Sequence, residues 1–278
     1  MVTSTPTLNQ LIQKTHEYLE LISSFNGSQI NEKNALLGSF DGSNCFDAIF
    51  NNSNSWRQKA ELMDQNSMEV PILLAEKVLE TLIYGQEAIQ LLINHTVEFS
   101  KYSPNTFNSY GKFLSVMMKQ VLRCERELTI NTHNRTLPHQ DEWFRDSFGY
   151  STYPWKMDEM YRYMRDNLLI SNFGSYLDSG KLNIIGNVGN FLASFNNGSE
   201  ITLEGDCGWR TCYGMEKGTV LIKEKTSHGL GTYARGGTIS VENEIKSIGS
   251  DYTPHNPLTI YEKNVLIPKK TVDELLNT

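Results

Sequence analysis

A period of 19 residues constrains this chain more than any other feature. Leu182, Ile201, Val220 and Ile239 recur at that spacing, and Ile184, Leu203, Ile222 and Val241 follow each of them two residues later. Gly180, Gly218 and Gly237 stand two residues ahead of the first set, and Gly198 stands three ahead of Ile201. Self-similarity at a period near 20 marks a solenoid, in which each turn buries its apolar face against its neighbours. Within a repeat the pattern is apolar-x-apolar, the alternation of a strand. One strand per turn, always running the same way, gives a parallel β-solenoid. Ile184, Leu203, Ile222 and Val241 are then predicted to stack in one interior row, with Thr202 facing out. The glycines suit corners that need positive φ or close backbone approach.

The N-terminal part reads differently. Residues 6–24 place Leu8, Leu11, Ile12, His16, Leu19 and Ile22 at helical spacing, with Thr7 as the cap. Residues 25–55 are rich in Asn, Ser and Gly and read as loops around Cys45–Phe50. Long helices are expected at about 69–100 and 106–129, broken at Ser103-Pro104-Asn105 and packed as an antiparallel hairpin. Residues 131–156 have no period, and a further helix is expected at about 156–170. The fold class is therefore α+β. A helical domain over 1–175 precedes a solenoid over 176–250, and residues 251–278 form a cap. In that cap Pro257–Tyr261 and Val265–Pro268 read as short strands, and Thr271–Glu274 as a capping box.

The repeats also resemble a known family. Gly186-Asn187-Val188-Gly189, Gly205-Asp206-Cys207-Gly208 and Tyr213-Gly214-Met215-Glu216-Lys217-Gly218 are similar to the running motif of the GXGXG domain. That domain forms the C-terminal part of the glutamate synthase large subunit and most of one of the subunits of formylmethanofuran dehydrogenase. The likeness spans about 180–249. Glu224 and Asn243 depart from it where the motif has glycine, as do Ser194 and Phe195 where it has Gly and Met. The resemblance implies a structural solenoid that spaces domains or docks subunits. It transfers no catalytic group and no cofactor, and the N-terminal 175 residues have no counterpart in it.

A net charge of −7 with scattered basic residues argues against general binding to nucleic acid or an anionic membrane. No apolar run is long enough to span a bilayer, and the N-terminus lacks the pattern of a secretory signal. A cytoplasmic location is expected, with Cys45, Cys124, Cys207 and Cys212 as reduced thiols. Zinc at Cys207 and Cys212 would need two more ligands, and His228 is the only histidine near them.

Two groups of residues stand out for function. Trp209, Arg210, Tyr213, His228 and Tyr233 fall in solenoid loops and are expected to crowd one edge, where they would bind a partner protein or small anion, or else cover the coil against the helical domain. His133, His139, Asp141 and Glu142, with Asp146 nearby, are the candidate metal ligands or acid–base groups, on a segment whose spacing imposes no ligand geometry. No P-loop, dinucleotide fingerprint, nucleophile elbow or H-E-x-x-H occurs. The first reading is a non-catalytic docking or assembly protein, self-associating or bound to a protein partner. The alternative is an enzyme, with or without a metal, whose site lies between the 131–156 loop and the solenoid edge. No cofactor is assigned.

Overall fold

A computed structural model of the 278-residue chain describes residues 7–24, 71–79, 84–132, 169–249, 252 and 257–269. Helices lead and a parallel β-solenoid of about four turns follows, as the 19-residue period predicts. The first helix, Leu8–Ser24, opens on a capping box: Gln10 N–H donates to Thr7 Oγ1 at 3.3 Å while Gln10 Oε1 accepts from Thr7 N–H at 2.8 Å. The helix expected over 69–100 is interrupted. Residues 71–79 are helical, Gly85 is extended, and two helices, Gln86–Asn94 and Thr96–Phe99, meet at His95. Ser103 caps Pro104–Asn108 by accepting from Thr106 N–H. Tyr110–Glu125 then runs as the long central helix. Tyr18, Leu92, Phe99, Tyr110, Phe113 and Met117 fill the core between these helices. The two buried phenols are satisfied, Tyr18 by Ser109 O and Tyr110 by Leu92 O.

The expected helix over 106–129 ends earlier than its apolar spacing indicates. Arg126 turns into the left-handed region at φ 63°, and β1 (Glu127–Asn131) follows as a strand. It pairs in parallel with β2 (Lys181–Ile185). The main sheet continues through β3 (Asn197–Glu204), β4 (Lys217–Ile222), β6 (Thr238–Val241) and β8 (Thr259–Glu262). Two apolar columns cross it in register. One is Leu128, Leu182, Ile201, Val220, Ile239 and Ile260; the other is Ile130, Ile184, Leu203, Ile222 and Val241. All are buried, whereas Thr202 is half-exposed. The last coil is two residues longer, so Thr238 pairs with Thr259. A second corner holds β5 (Lys225–Thr226) and β7 (Glu244–Ile245). Here Asn187 Oδ1 accepts from Asp206 N–H, and Asp206 Oδ1 accepts from Lys225 N–H, each a partner 19 residues on. Outside, Lys223 pairs with Glu204 and Asn243 with Glu224 across the same interval.

The third corner is built from a repeated backbone device. Three alternate residues take positive φ in each coil: Asn172, Gly174 and Tyr176; Phe191, Ala193 and Phe195; Arg210, Cys212 and Gly214; Gly229, Gly231 and Tyr233. Only four of these twelve are glycine, and each of the others gives up about 1–2 kcal/mol relative to right-handed backbone. Hydrogen bonds between coils offset that. Asn172, Phe191 and Arg210 donate forward to Asn190, Trp209 and His228 carbonyls, while Ala193, Cys212 and Gly231 donate back to Phe173, Leu192 and Thr211.

The first end of the sheet is covered, and the far end finishes on a two-residue strand whose side chains are exposed. At the first end Gln86 and Gln90, one helical turn apart, lie along the outer edge of β1. Gln86 Oε1 accepts from Thr129 N–H, and Gln90 both accepts from Asn131 N–H and donates to Asn131 O at 2.8 Å. At the far end β8 turns back through Lys263 and Asn264, both at positive φ, into β9 (Val265–Leu266). Glu262 Oε1 accepts the Ile245 N–H at the edge of the small sheet. Pro268, which has no N–H, ends the last edge. The strands expected in 257–268 are thus present, and the capping box at 271–274 lies outside the described residues.

The central helix lies along the first coil. Ser115 Oγ donates to Asn172 O and accepts from Ser175 N–H, Arg123 reaches Asp178 at 2.6 Å, and Arg126 O accepts from Lys181 N–H. Ile170 O accepts from Gly189 N–H, so residues just before 175 also bond to the following coil.

Candidate functional site

The left-handed corner carries an aromatic ladder along the solenoid axis. Tyr176 stacks on Phe195 with ring centroids 4.8 Å apart; Phe195 meets Tyr213 edge-on at 5.6 Å, and Tyr213 meets Tyr233 at 5.3 Å. Strict periodicity would put Gly214, not Tyr213, on this ladder. A Cβ at Gly214 would stand 2.5 Å from Phe195 Cε1, so the Phe195 ring occupies the space a side chain would need. Tyr213, one residue earlier, supplies the missing ring. Phe191 packs beside it, 5.9 Å from Tyr213 and 6.4 Å from Trp209.

All five residues expected on one edge come together there. The Arg210 guanidinium carbon lies 4.4 Å from the Trp209 ring centroid and 5.6 Å from that of Tyr213. The His228 carbonyl accepts from Arg210 N–H at 2.8 Å. His228 Nδ1 is 3.1 Å from Ser247 Oγ, which also accepts from Gly229 N–H. Burial first, then the charge of Lys246, lowers the His228 pKa and favours a neutral imidazole. Tyr213 is buried, whereas Trp209, Arg210, His228 and Tyr233 are half-exposed. Rings with polar tips and a guanidinium held against them are the chemistry of a binding surface. Tyr176, Phe191 and Phe195 extend the ladder and were not singled out from sequence, although Phe195 follows Tyr176 by one period.

Cys207 and Cys212 face the solenoid interior, fully buried as free thiols. Burial pushes the Cys207 thiol up to about 12 and also raises Cys212. Small interior side chains pack in this way. Among the described residues no group of three His, Cys, Asp or Glu is placed to hold a metal ion. His133, His139, Asp141 and Glu142 lie outside the described residues, as does most of the 131–156 loop. Among the described residues no helix is long and apolar enough to cross a membrane. Comparisons with protein-family models, curated proteins and solved structures return no match for this chain.

Proposed function

We propose that this chain is a non-catalytic docking module, a GXGXG-type solenoid whose aromatic and arginine-bearing edge receives a protein partner. One observation carries the reading: Trp209, Arg210, Tyr213, His228 and Tyr233 converge on one half-exposed edge, with Arg210 stacked 4.4 Å from the Trp209 ring. Tryptophan, tyrosine and arginine are the residues that dominate binding energy at protein interfaces. The covered edge of β1 supports lateral docking over strand addition at that end, because a chain pairing with β1 would have to displace Gln86 and Gln90. The family assignment draws support from the coil period and from the G-x-G spacing of Gly229 and Gly231 at the left-handed positions.

The test is quantitative affinity capture with wild type, Trp209→Ser and Tyr233→Ser, each checked for native circular dichroism. Partners held by wild type and lost by both variants are expected. Full retention by both folded variants refutes the edge as the docking surface. Elemental analysis addresses the enzyme alternative: stoichiometric transition metal, lost on His133→Ala with His139→Ala, would overturn the docking reading.

A further inference from the structure

We infer that Trp209 is the anchor of the docking edge, an indole kept for the partner protein at a position where the coil takes a hydrogen-bond acceptor; the inference rests on the docking reading above. One residue precedes the first left-handed position of each coil. These residues form a column at the 19-residue interval: Ser171, Asn190, Trp209 and His228. The first two tie each coil to the next. Ser171 Oγ accepts from Asn190 N–H at 3.2 Å, and Asn190 Oδ1 accepts from Trp209 N–H at 2.8 Å. The next rung needs an acceptor on Trp209, and an indole only donates. The His228 N–H, which that rung would serve, has no acceptor among the described residues.

A second residue changes with it. A Cβ at Gly189 would stand 2.6 Å from Ser171 Oγ, and one at Gly208 would stand 2.2 Å from Asn190 Oδ1. Each rung therefore needs a glycine in the coil that receives it. One coil further on, the residue at this place is Ser227, which carries a Cβ and is buried. Trp209 and Ser227 thus leave the pattern together, and the corner gives up one hydrogen bond between coils. A local rule broken without gain to the fold marks a functional position. What the exchange supplies is a half-exposed indole, with the Arg210 guanidinium carbon 4.4 Å from its ring centroid. That contact uses the face of the ring. The Trp209 Nε1–H has no acceptor among the described residues. A tryptophan covered by a partner needs one. The partner surface that fits is apolar, with a carbonyl oxygen placed to accept the indole N–H.

Urea unfolding followed by circular dichroism tests the cost to the fold. In a Ser227→Gly background, Trp209→Asn supplies the missing acceptor for His228 N–H and should leave the midpoint unchanged or raise it. A midpoint lowered by Trp209→Asn in that background would make the indole part of the fold and overturn the anchor. Binding is tested with a phage-displayed library of random peptides panned on wild type. Selected peptides, labelled and titrated by fluorescence anisotropy, should bind Ser227→Gly within about twofold of wild type. They should bind the folded Ser227→Gly, Trp209→Asn pair about tenfold more weakly or worse, the loss expected of an interface anchor. Trp209→Phe keeps a ring and loses the donor, so its loss should fall between the two. Equal binding by Trp209→Phe and wild type would overturn the bonded N–H. Peptides lost on Tyr233→Ser but held by the pair as well as by wild type would remove the anchor and leave the docking reading standing. A library that yields no binder, or only peptides kept by both the pair and folded Tyr233→Ser, would remove the docking reading with it.

Discussion

Glycine inside a helix is normally a defect, and replacing it with alanine gains about 1 kcal/mol. Gly111, in the first turn of Tyr110–Glu125, should reverse that sign. A Cβ there would stand 1.8 Å from Ser171 O, 2.9 Å from Ser171 C and 3.0 Å from Ile170 Cγ2, whereas ordinary contact begins at 3.4 Å. The obstacle is backbone, which cannot swing aside, so the helix and the first coil would have to part by roughly 1.5 Å at this point. Ser115 is one turn further along the same face. Its bonds to Asn172 O at 2.9 Å and from Ser175 N at 3.1 Å would stretch or break in a buried setting. Overpacking costs about 1–3 kcal/mol and a lost buried hydrogen bond about 1 kcal/mol or more. Against the propensity gain, Gly111→Ala should destabilise by about 2–4 kcal/mol. Urea unfolding followed by circular dichroism reads this as a lower midpoint at unchanged slope. Gly85→Ala is the control, because its nearest neighbour is the flexible Glu125 Oε1 at 3.4 Å; as the N-cap of Gln86–Asn94 it should cost no more than about 1 kcal/mol. A Gly111→Ala protein as stable as wild type would refute the close seating of the helix on the coil.

Three further outcomes are expected. Leu203→Asp places a charge in the interior column and should unfold the solenoid or cost about 3 kcal/mol or more, while Thr202→Asp, half-exposed on the outer face, should cost far less; equal damage would sink the alternation. Lys112 is buried, and burial lowers its ammonium from 10.5 to about 8, so below pH 8 the folded state carries a fixed penalty that fades as pH rises to 10.5 and the unfolded chain also loses its proton. The stability of Lys112→Met relative to wild type should therefore be about 2–3 kcal/mol more favourable at pH 7 than at pH 10.5 in paired urea titrations, and a difference independent of pH would contradict the buried amine. Gln90→Leu removes the side chain that pairs with Asn131 and should raise aggregation on concentration, seen by light scattering, whereas Gln90→Glu, still an acceptor for Asn131 N–H, should aggregate less than Gln90→Leu.

The apolar columns were readable because stacked parallel strands impose a constant interval, and Leu182, Ile201, Val220 and Ile239 keep it. Thr7 was readable because a capping box is local. β1 was not. Its five residues continue the apolar spacing of the helix before them, and its partner β2 lies more than fifty positions on, beyond any local pattern. The five edge residues were legible as a group through the loops of the repeat, but the ladder they join was not. Phe191, Phe195 and Tyr233 sit at positive φ, where sequence reasoning expects glycine, and Phe191 and Phe195 are tied to the next coil through Trp209 O and Tyr213 O. Gln86 and Gln90 look like any exposed helix face until a strand edge is laid beside them.

The elements at the two ends of the sheet also set what can vary in a lineage of such chains. The Gln86 side chain bonds to β1, that of Gln90 to β1 and to Asn94 of its own helix, and that of Glu262 to Ile245 N–H at the last turn of the small sheet. None touches the coils between. A duplication or deletion of one coil in the interior leaves both end elements intact and changes the body by a single strand spacing of about 4.8 Å. The aromatic ladder would lengthen or shorten by one rung with it. Coil number is therefore the one dimension of this architecture open to inheritance by tandem copying, and the reach of the ladder along a partner is the property such copying would tune.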